Sequence, residues 1–310
     1  MEMQGYQPIP QGQNPGQNIQ TPQSGVPGGY VPPINPSENG QQPYSQGYAP
    51  PGYYGPPIFP NIQYVFVPDP MVELSKSTSV IIKQKAQFLE QITGCESPNR
   101  YFVFSQSPNE GLKLLFKCKE YSGCCQRNCC SADCREFNML IKHIVNAQYI
   151  DDNFATPFIS INRPFKCTCC CLERPEMFAQ FTRDKQPLGK IKQKFTCCDP
   201  EFITYDNCGL EKYFISADCC QCGLCCKNTI CGKCSQVLFN VYPAKDPSSP
   251  CGSILKKPAN FSELITSADS YQVNFPADAS PQDKMMIIIA GLMIDYQFFE
   301  EKAGHKNNRQ

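Results

Sequence analysis

The rhythm of hydrophobic and polar positions divides this chain into four stretches. Between Val72 and Ile92, the residues Ile81, Phe88, Leu89 and Ile92 fall near one helical face and Gly94 stands where a helix would stop, so a helix is predicted there. After Gly94 the period shortens. Apolar runs of two to seven residues recur near Tyr101, Leu114, Leu140, Ile159, Phe178, Ile191, Phe202, Phe214, Leu238, Ile254 and Val273, separated by Pro, Gly, Asn, Asp or cysteine clusters. Eleven or so short strands with turn signals between them predict an all-β barrel or sandwich. Within one run Lys190, Lys192 and Lys194 alternate with Ile191 and Phe195, which assigns a basic outer face and an apolar inner one.

The longest apolar stretch comes last, Met285 to Phe299, and its first ten residues carry no charge. At 1.5 Å per residue those ten span about 15 Å, half of the roughly 30 Å of a bilayer's hydrocarbon. A helix apolar on every side must be surrounded, by lipid or by protein. Its length favours the inside of the barrel, with Met285, Ile288, Leu292 and Phe299 as packing residues, and leaves a single membrane pass as the alternative. Asp283, Lys284, Asp295 and Gln297 would fall within any window long enough to span.

The remaining stretch precedes all of these. Residues 1–70 hold 16 of the 29 prolines, no Lys or Arg, and recurring Gln, Gly, Asn and Tyr, a composition that cannot bury enough apolar surface to fold. A disordered arm is expected there, then a folded domain over 71–300 and a short tail over 301–310. Within the arm Pro50, Pro51, Gly52 and Tyr53 match the PPxY form that WW domains bind, and Pro-rich segments of this kind also suit SH3 domains. All 28 basic residues lie beyond position 75, against 24 acidic ones, so the folded part is about +4. That is too weakly basic to point to nucleic acid.

The first ten residues, MEMQGYQPIP, show neither a basic start nor an apolar core of signal-peptide type, so the chain is expected on the cytosolic side. Twenty-two cysteines in a reducing compartment point away from a disulfide framework and towards metal ligation, S-acylation or buried thiols. Two CxxC pairs, Cys222 with Cys225 and Cys231 with Cys234, leave a thiolate zinc site open, although only five residues separate them. Cys167, Cys169, Cys170 and Cys171, beside Arg163, Lys166 and Arg174, suit acylation at a membrane surface better, because adjacent thiols aim poorly at one ion. No phosphate loop or nucleophile elbow is visible and only two histidines are present, so no catalytic residues are assigned.

Taken in order, QKAQFLEQITGCESPNRYFVF (84–104), CCQRNCC (124–130), INRPFKCTCCC (161–171), CCQCGLCC (219–226), SADSYQVNFPAD (267–278) and the apolar segment ending IDYQFFE (294–300) resemble the phospholipid scramblases. The resemblance implies a fold like the tubby C-terminal domain, a closed antiparallel barrel of about twelve strands around a hydrophobic C-terminal helix. It also implies calcium-dependent, ATP-independent movement of phospholipids both ways across the bilayer, at the cytoplasmic face of the plasma membrane, with palmitoylation of the cysteine tract. A palmitoyl-anchored adaptor that binds lipid and protein partners without transport is the alternative. The family's calcium segment corresponds here to Ser267, Asp269, Tyr271 and Asp278, with Gln272 where an EF-hand-like loop has Gly. Ser267 replaces the usual acidic first residue, so weak calcium binding with Asp269 and Asp278 as principal ligands is expected. The cysteine tract is also shorter than the family pattern, because Leu172, Glu173, Arg174 and Pro175 follow it.

Overall fold

A computed structural model describes residues 68–85, 97–107, 111–130, 134–144, 155–168, 173–225, 236–257 and 267–300. The chain divides into two units, residues 1–62 and 63–310, and all described residues belong to the second. The Pro50 to Tyr53 motif and the 301–310 tail lie outside the described residues.

Asp69 starts helix α1 (Pro70–Lys76) by accepting a hydrogen bond from the Met71 amide, with Pro70 in the first turn. Twelve strands follow: β1 (Ser79–Lys85), β2 (Arg100–Ser107), β3 (Gly111–Tyr121), β4 (Phe137–His143), β5 (Thr156–Arg163), β6 (Glu176–Phe181), β7 (Pro187–Gln193), β8 (Glu201–Asp206), β9 (Glu211–Ser216), β10 (Val237–Pro243), β11 (Gly252–Lys257) and β12 (Ser267–Asn274). A short helix α2 (Cys124–Cys129) lies between β3 and β4, and a single turn α3 (Cys222–Cys225) between β9 and β10. Neighbours in sequence pair antiparallel, and β1 pairs β12 to close the barrel. The outcome is a mainly β protein whose sheet has no open edge.

All eleven expected runs fall inside β2 to β12. The twelfth strand, β1, replaces most of the helix expected over 72–92: α1 stops at Lys76, and 86–92 lies outside the described residues. The β-branched residues Thr78, Val80, Ile81 and Ile82 favour extended backbone. Pairing on both sides then decides the matter, because a helix here would leave the edges of β2 and β12 without backbone partners. Val80 and Ile82 point inward and are fully buried. In β7 Ile191 is buried as expected, but the strand ends at Gln193, so Phe195 is 54% exposed rather than inward.

The bore holds helix α4 (Pro281–Ile294), which continues as one π-helical stretch, Asp295–Phe299. Its 14 residues span about 21 Å. No helix among the described residues is long and apolar enough to cross a membrane. Every residue from Lys284 to Tyr296 is buried, Met285, Ile288 and Leu292 included, while Phe299 is half-buried at the mouth. Gly291 lets the helix come close to β1, since a Cβ there would sit 3.0 Å from Ile82 Cδ1.

The helix start is fixed from two sides. Ser280 Oγ accepts from the Asp283 amide (3.1 Å), and the Asp283 carboxylate accepts from the Ser280 amide (3.2 Å). The Lys284 ammonium, buried over the Phe275 ring, donates to the carbonyls of Ser75 (2.8 Å) and Ser77 (2.9 Å), tying α1 over this end of the barrel. Burial lowers the Lys284 pKa.

Strand parity fixes which loops share an end. α4 enters beside the β12 terminus and leaves where β1, β3, β5, β7, β9 and β11 finish. Leu292→Ala opens a cavity against this shell and should cost about 2–5 kcal/mol in denaturant unfolding, whereas Leu210→Ala, on an exposed turn, should stay within about 0.5 kcal/mol.

Candidate functional site at the cysteine-bearing end of the barrel

The end where α4 leaves is closed by a buried polar network. Asp295, 1% exposed, accepts from the hydroxyls of Tyr101 (2.6 Å) and Tyr271 (2.5 Å). At the next residue, the Tyr296 hydroxyl donates to Glu120 (2.7 Å), which also accepts from the Asn99 amide (2.9 Å) and the Ser122 hydroxyl (2.6 Å). The Arg135 guanidinium lies 3.3 Å from Glu120 and 2.5 Å from Glu300, and Asn99 Nδ2 donates to Glu300 at 2.9 Å. Arg135 and Arg163 both stack near the Tyr296 ring, at 5.5 and 5.8 Å. Removing water from these charges is costly, and the mutual hydrogen bonds offset that cost.

Electrostatics follow the packing. Burial and the Asp295 charge raise the Tyr101 pKa well above the usual phenol value, and burial with the Glu120 charge does the same to Tyr296. Glu300 is pushed up to about 7, mainly by burial, with Arg135 pulling the other way and Glu120 adding to the rise. Outside this network, β3, β4, β5 and α2 surround a polar cleft of about 450 Å3, lined by Tyr121, Gln126, Glu136, Asn138, Asn162 and Arg163.

The cysteines surround the same end. Cys124, Cys125 and Cys129 on α2 are exposed, as are Cys167, Cys197, Cys198, Cys220, Cys222 and Cys225. Cys169, Cys170 and Cys171 lie outside the described residues. So do Cys231 and Cys234, which leaves the expected pairing of two CxxC motifs without geometry. Among the described residues Asp218, Cys219 and Cys220 bring ligand atoms within 4.8 Å of one another. The Cys225 thiol donates to the Cys219 carbonyl (3.0 Å). The basic neighbours expected beside Cys167 are differently placed. Arg163 is 1% exposed and belongs to the buried network, and Lys166 pairs with Glu176 at 3.0 Å, a contact that raises its pKa.

The backbone of the segment Ser267 to Asp278 is a strand followed by a turn. Residues 267–274 are strand β12, paired to β1 and β11, and seven steps of about 3.3 Å spread them over about 23 Å. Tyr271 points into the bore at 1% exposure, bonded to Asp295, and Asp278 sits on an exposed turn at the helix-entry end. Position 269 lies towards the other end of the strand, so the four expected ligands are not brought together. The strand signal at Val273 and the loop assignment overlapped in the sequence, and pairing on both sides settled it as strand.

Sequence reasoning missed Tyr101, Glu120, Arg135, Asp295, Tyr296 and Glu300 as a unit, because they come from four separate segments. It also missed the convergence of the cysteine clusters, for which a signal existed: they occupy alternate connections of an up-and-down barrel.

A closed antiparallel barrel filled by its own C-terminal helix and carrying its cysteines at one end defines the structural class. The chain belongs to the Scramblase family, whose model matches residues 60–301. It is 28% identical over 241 residues to phospholipid scramblase 1 of Mus musculus (76% of this chain, 65% of that protein) and 29% over 238 residues to phospholipid scramblase 1 of Homo sapiens (75% and 66%). To phospholipid scramblase 2 of Bos taurus it is 28% identical over 236 residues (74% and 71%). The matched region thus spans about 65% of the first of these relatives.

Two outcomes test the network. Tyr101→Phe and Tyr271→Phe each take a donor from buried Asp295 and should cost about 1–3 kcal/mol, and the double variant should depart from additivity. For Glu300 the folded pKa lies above the unfolded one, so the folded state holds more protons between about pH 4.5 and 7 and its contribution falls as pH rises through that window. Glu300→Gln should therefore gain stability relative to wild type from pH 5 to pH 8 in paired denaturant titrations, and a constant difference would contradict the assignment.

Proposed function

We propose that this protein facilitates movement of phospholipids between the two leaflets of a membrane, as a lipid transporter rather than a conventional enzyme. The observation that carries this reading is the Scramblase family match across the whole barrel, from before β1 to beyond α4. Movement in both directions runs down existing lipid gradients, so it needs no nucleotide. The bore is occupied by α4, so the lipid is handled on the outer surface of the barrel and at its ends. The polar cleft beside α2 supplies hydrogen-bonding and charged groups of the kind that suit a phospholipid headgroup.

The working location is the cytoplasmic face of the plasma membrane, with the protein held by palmitoyl chains on Cys167, Cys169, Cys170 and Cys171. Two or more chains make such attachment stable. Calcium is proposed as the trigger. Because the carboxylates around β12 are not gathered, the affinity is expected to be weak, and no step is routed through a preformed ion site. The arm, through Pro50, Pro51, Gly52 and Tyr53, is proposed to dock WW or SH3 domains. A palmitoyl-anchored adaptor is the second reading, favoured by the filled bore.

Purified full-length protein in vesicles carrying a fluorescent phospholipid separates the two. With calcium and without ATP, the inner-leaflet fraction protected from an external quencher should fall towards zero. An unchanged protected fraction at high protein content would replace transport with the adaptor reading. Calorimetry should give a calcium Kd in the upper micromolar range or weaker. Submicromolar binding would contradict the ligand placement above.

A further inference from the structure

Of the 15 described cysteines, 12 lie in the connections after β3, β5, β7 and β9: five, one, two and four respectively. By strand parity all four connections leave the barrel at the end where α4 emerges. Among the described residues only Cys118, Cys208 and Cys251 lie elsewhere; the first is buried in β3 and the other two sit at the opposite end. Nine of the described thiols at the cysteine-bearing end are exposed, against Cys208 alone at the other.

Exposed aromatic side chains follow the same asymmetry, while the exposed aliphatic Val72, Leu112 and Leu210 lie at the other end. Tyr121 at the close of β3, Phe165 after β5, Phe178 near the start of β6 and Phe195 after β7 are 42, 52, 41 and 54% exposed, all towards the cysteine-bearing end. Aromatic rings left in water around a rim of exposed thiols fit an apolar partner.

A shared metal fits less well. Only Asp218, Cys219 and Cys220 converge among the described residues, and all three are consecutive in sequence.

We propose that the entire cysteine-bearing end is the membrane-docking face, seated on one leaflet of a bilayer, and that α2 is a second acylation site through Cys124, Cys125 and Cys129. The proposal rests on the membrane reading above and extends it from one cysteine tract to a whole end of the barrel. In the acylation step a cysteine sulfur attacks the carbonyl carbon of a long-chain acyl thioester. A new S–C bond forms, the donor's S–C bond breaks, and the cysteine proton leaves with the released thiol. The added chains and the rings of Phe165 and Phe195 then enter the same leaflet. Each buried CH2 contributes about 0.8 kcal/mol, so chains on two connections hold the end flat against the surface where one would let it pivot.

Full-length protein from acylating cells tests this by exchanging thioester-linked acyl groups for mass tags. C124S/C125S/C129S should lose tags and shift towards the soluble fraction with Cys167, Cys169, Cys170 and Cys171 intact, whereas C208S should change neither. Unchanged tags in the triple variant, or a tag lost in C208S, would overturn the proposal. In a second arm, unacylated full-length protein is floated with phosphatidylcholine–phosphatidylserine vesicles. Phe165→Ala with Phe195→Ala should reduce binding about tenfold, and Leu210→Ala at the opposite end should leave it unchanged. Equal loss in both would also overturn it. Lipid movement in reconstituted vesicles requires no acyl chains, so the transport reading stands or falls separately.

Discussion

The structure depends on one demand: helix α4 is apolar around its whole circumference and must be enclosed on every side. A one-sided sheet could cover only a stripe of it, so the twelve strands close, and closure also removes the sheet edges that a free β-protein must protect. Each inward-pointing row contributes to this shell, from Val80 and Ile82 on β1 to Tyr271 and Val273 on β12. Gly291 leaves room for Ile82 where shell and helix pack closely, since a Cβ there would sit 3.0 Å from the Ile82 side chain.

The helix ends have a second demand, because their last polar groups cannot be left dry. At the entry end Ser280, Asp283 and Lys284 meet it with local caps and the carbonyls of α1. At the exit the chain shifts to a π-helical turn, which brings Asp295 to two tyrosine hydroxyls and Tyr296 to Glu120. The ionic network there closes the bore just below the loops that carry the cysteines. Rigid closure beneath and exposed thiols above divide that end into a supporting layer and a contact layer.

Much of the fold was legible in the sequence because strand and helix periods are local: eleven strands and the enclosed helix all stand where their patterns placed them. The exception, β1, shows the limit. Its Val80–Ile81–Ile82 run fits either a helix face or a strand, and only partners 20 and some 190 residues away, on β2 and β12, decide between them. Ser267 to Asn274 shows the same limit, since ladder pairing on both sides holds 267–274 extended where the resemblance implied a loop. Arg163 looked like a surface cation beside a cysteine tract, but strand alternation turns it inward to Phe137 and Tyr296. Where long-range pairing or desolvation decides, a single sequence is silent.

The account turns on α4 being the core of the barrel and not an anchor in lipid. Hydrogen exchange on the full-length protein in detergent-free buffer tests this most directly. The amides of Met285 to Ile294 should exchange only through global unfolding, as slowly as those of the central strands. Exchange at the rate of exposed loops, with strand protection retained, would contradict it.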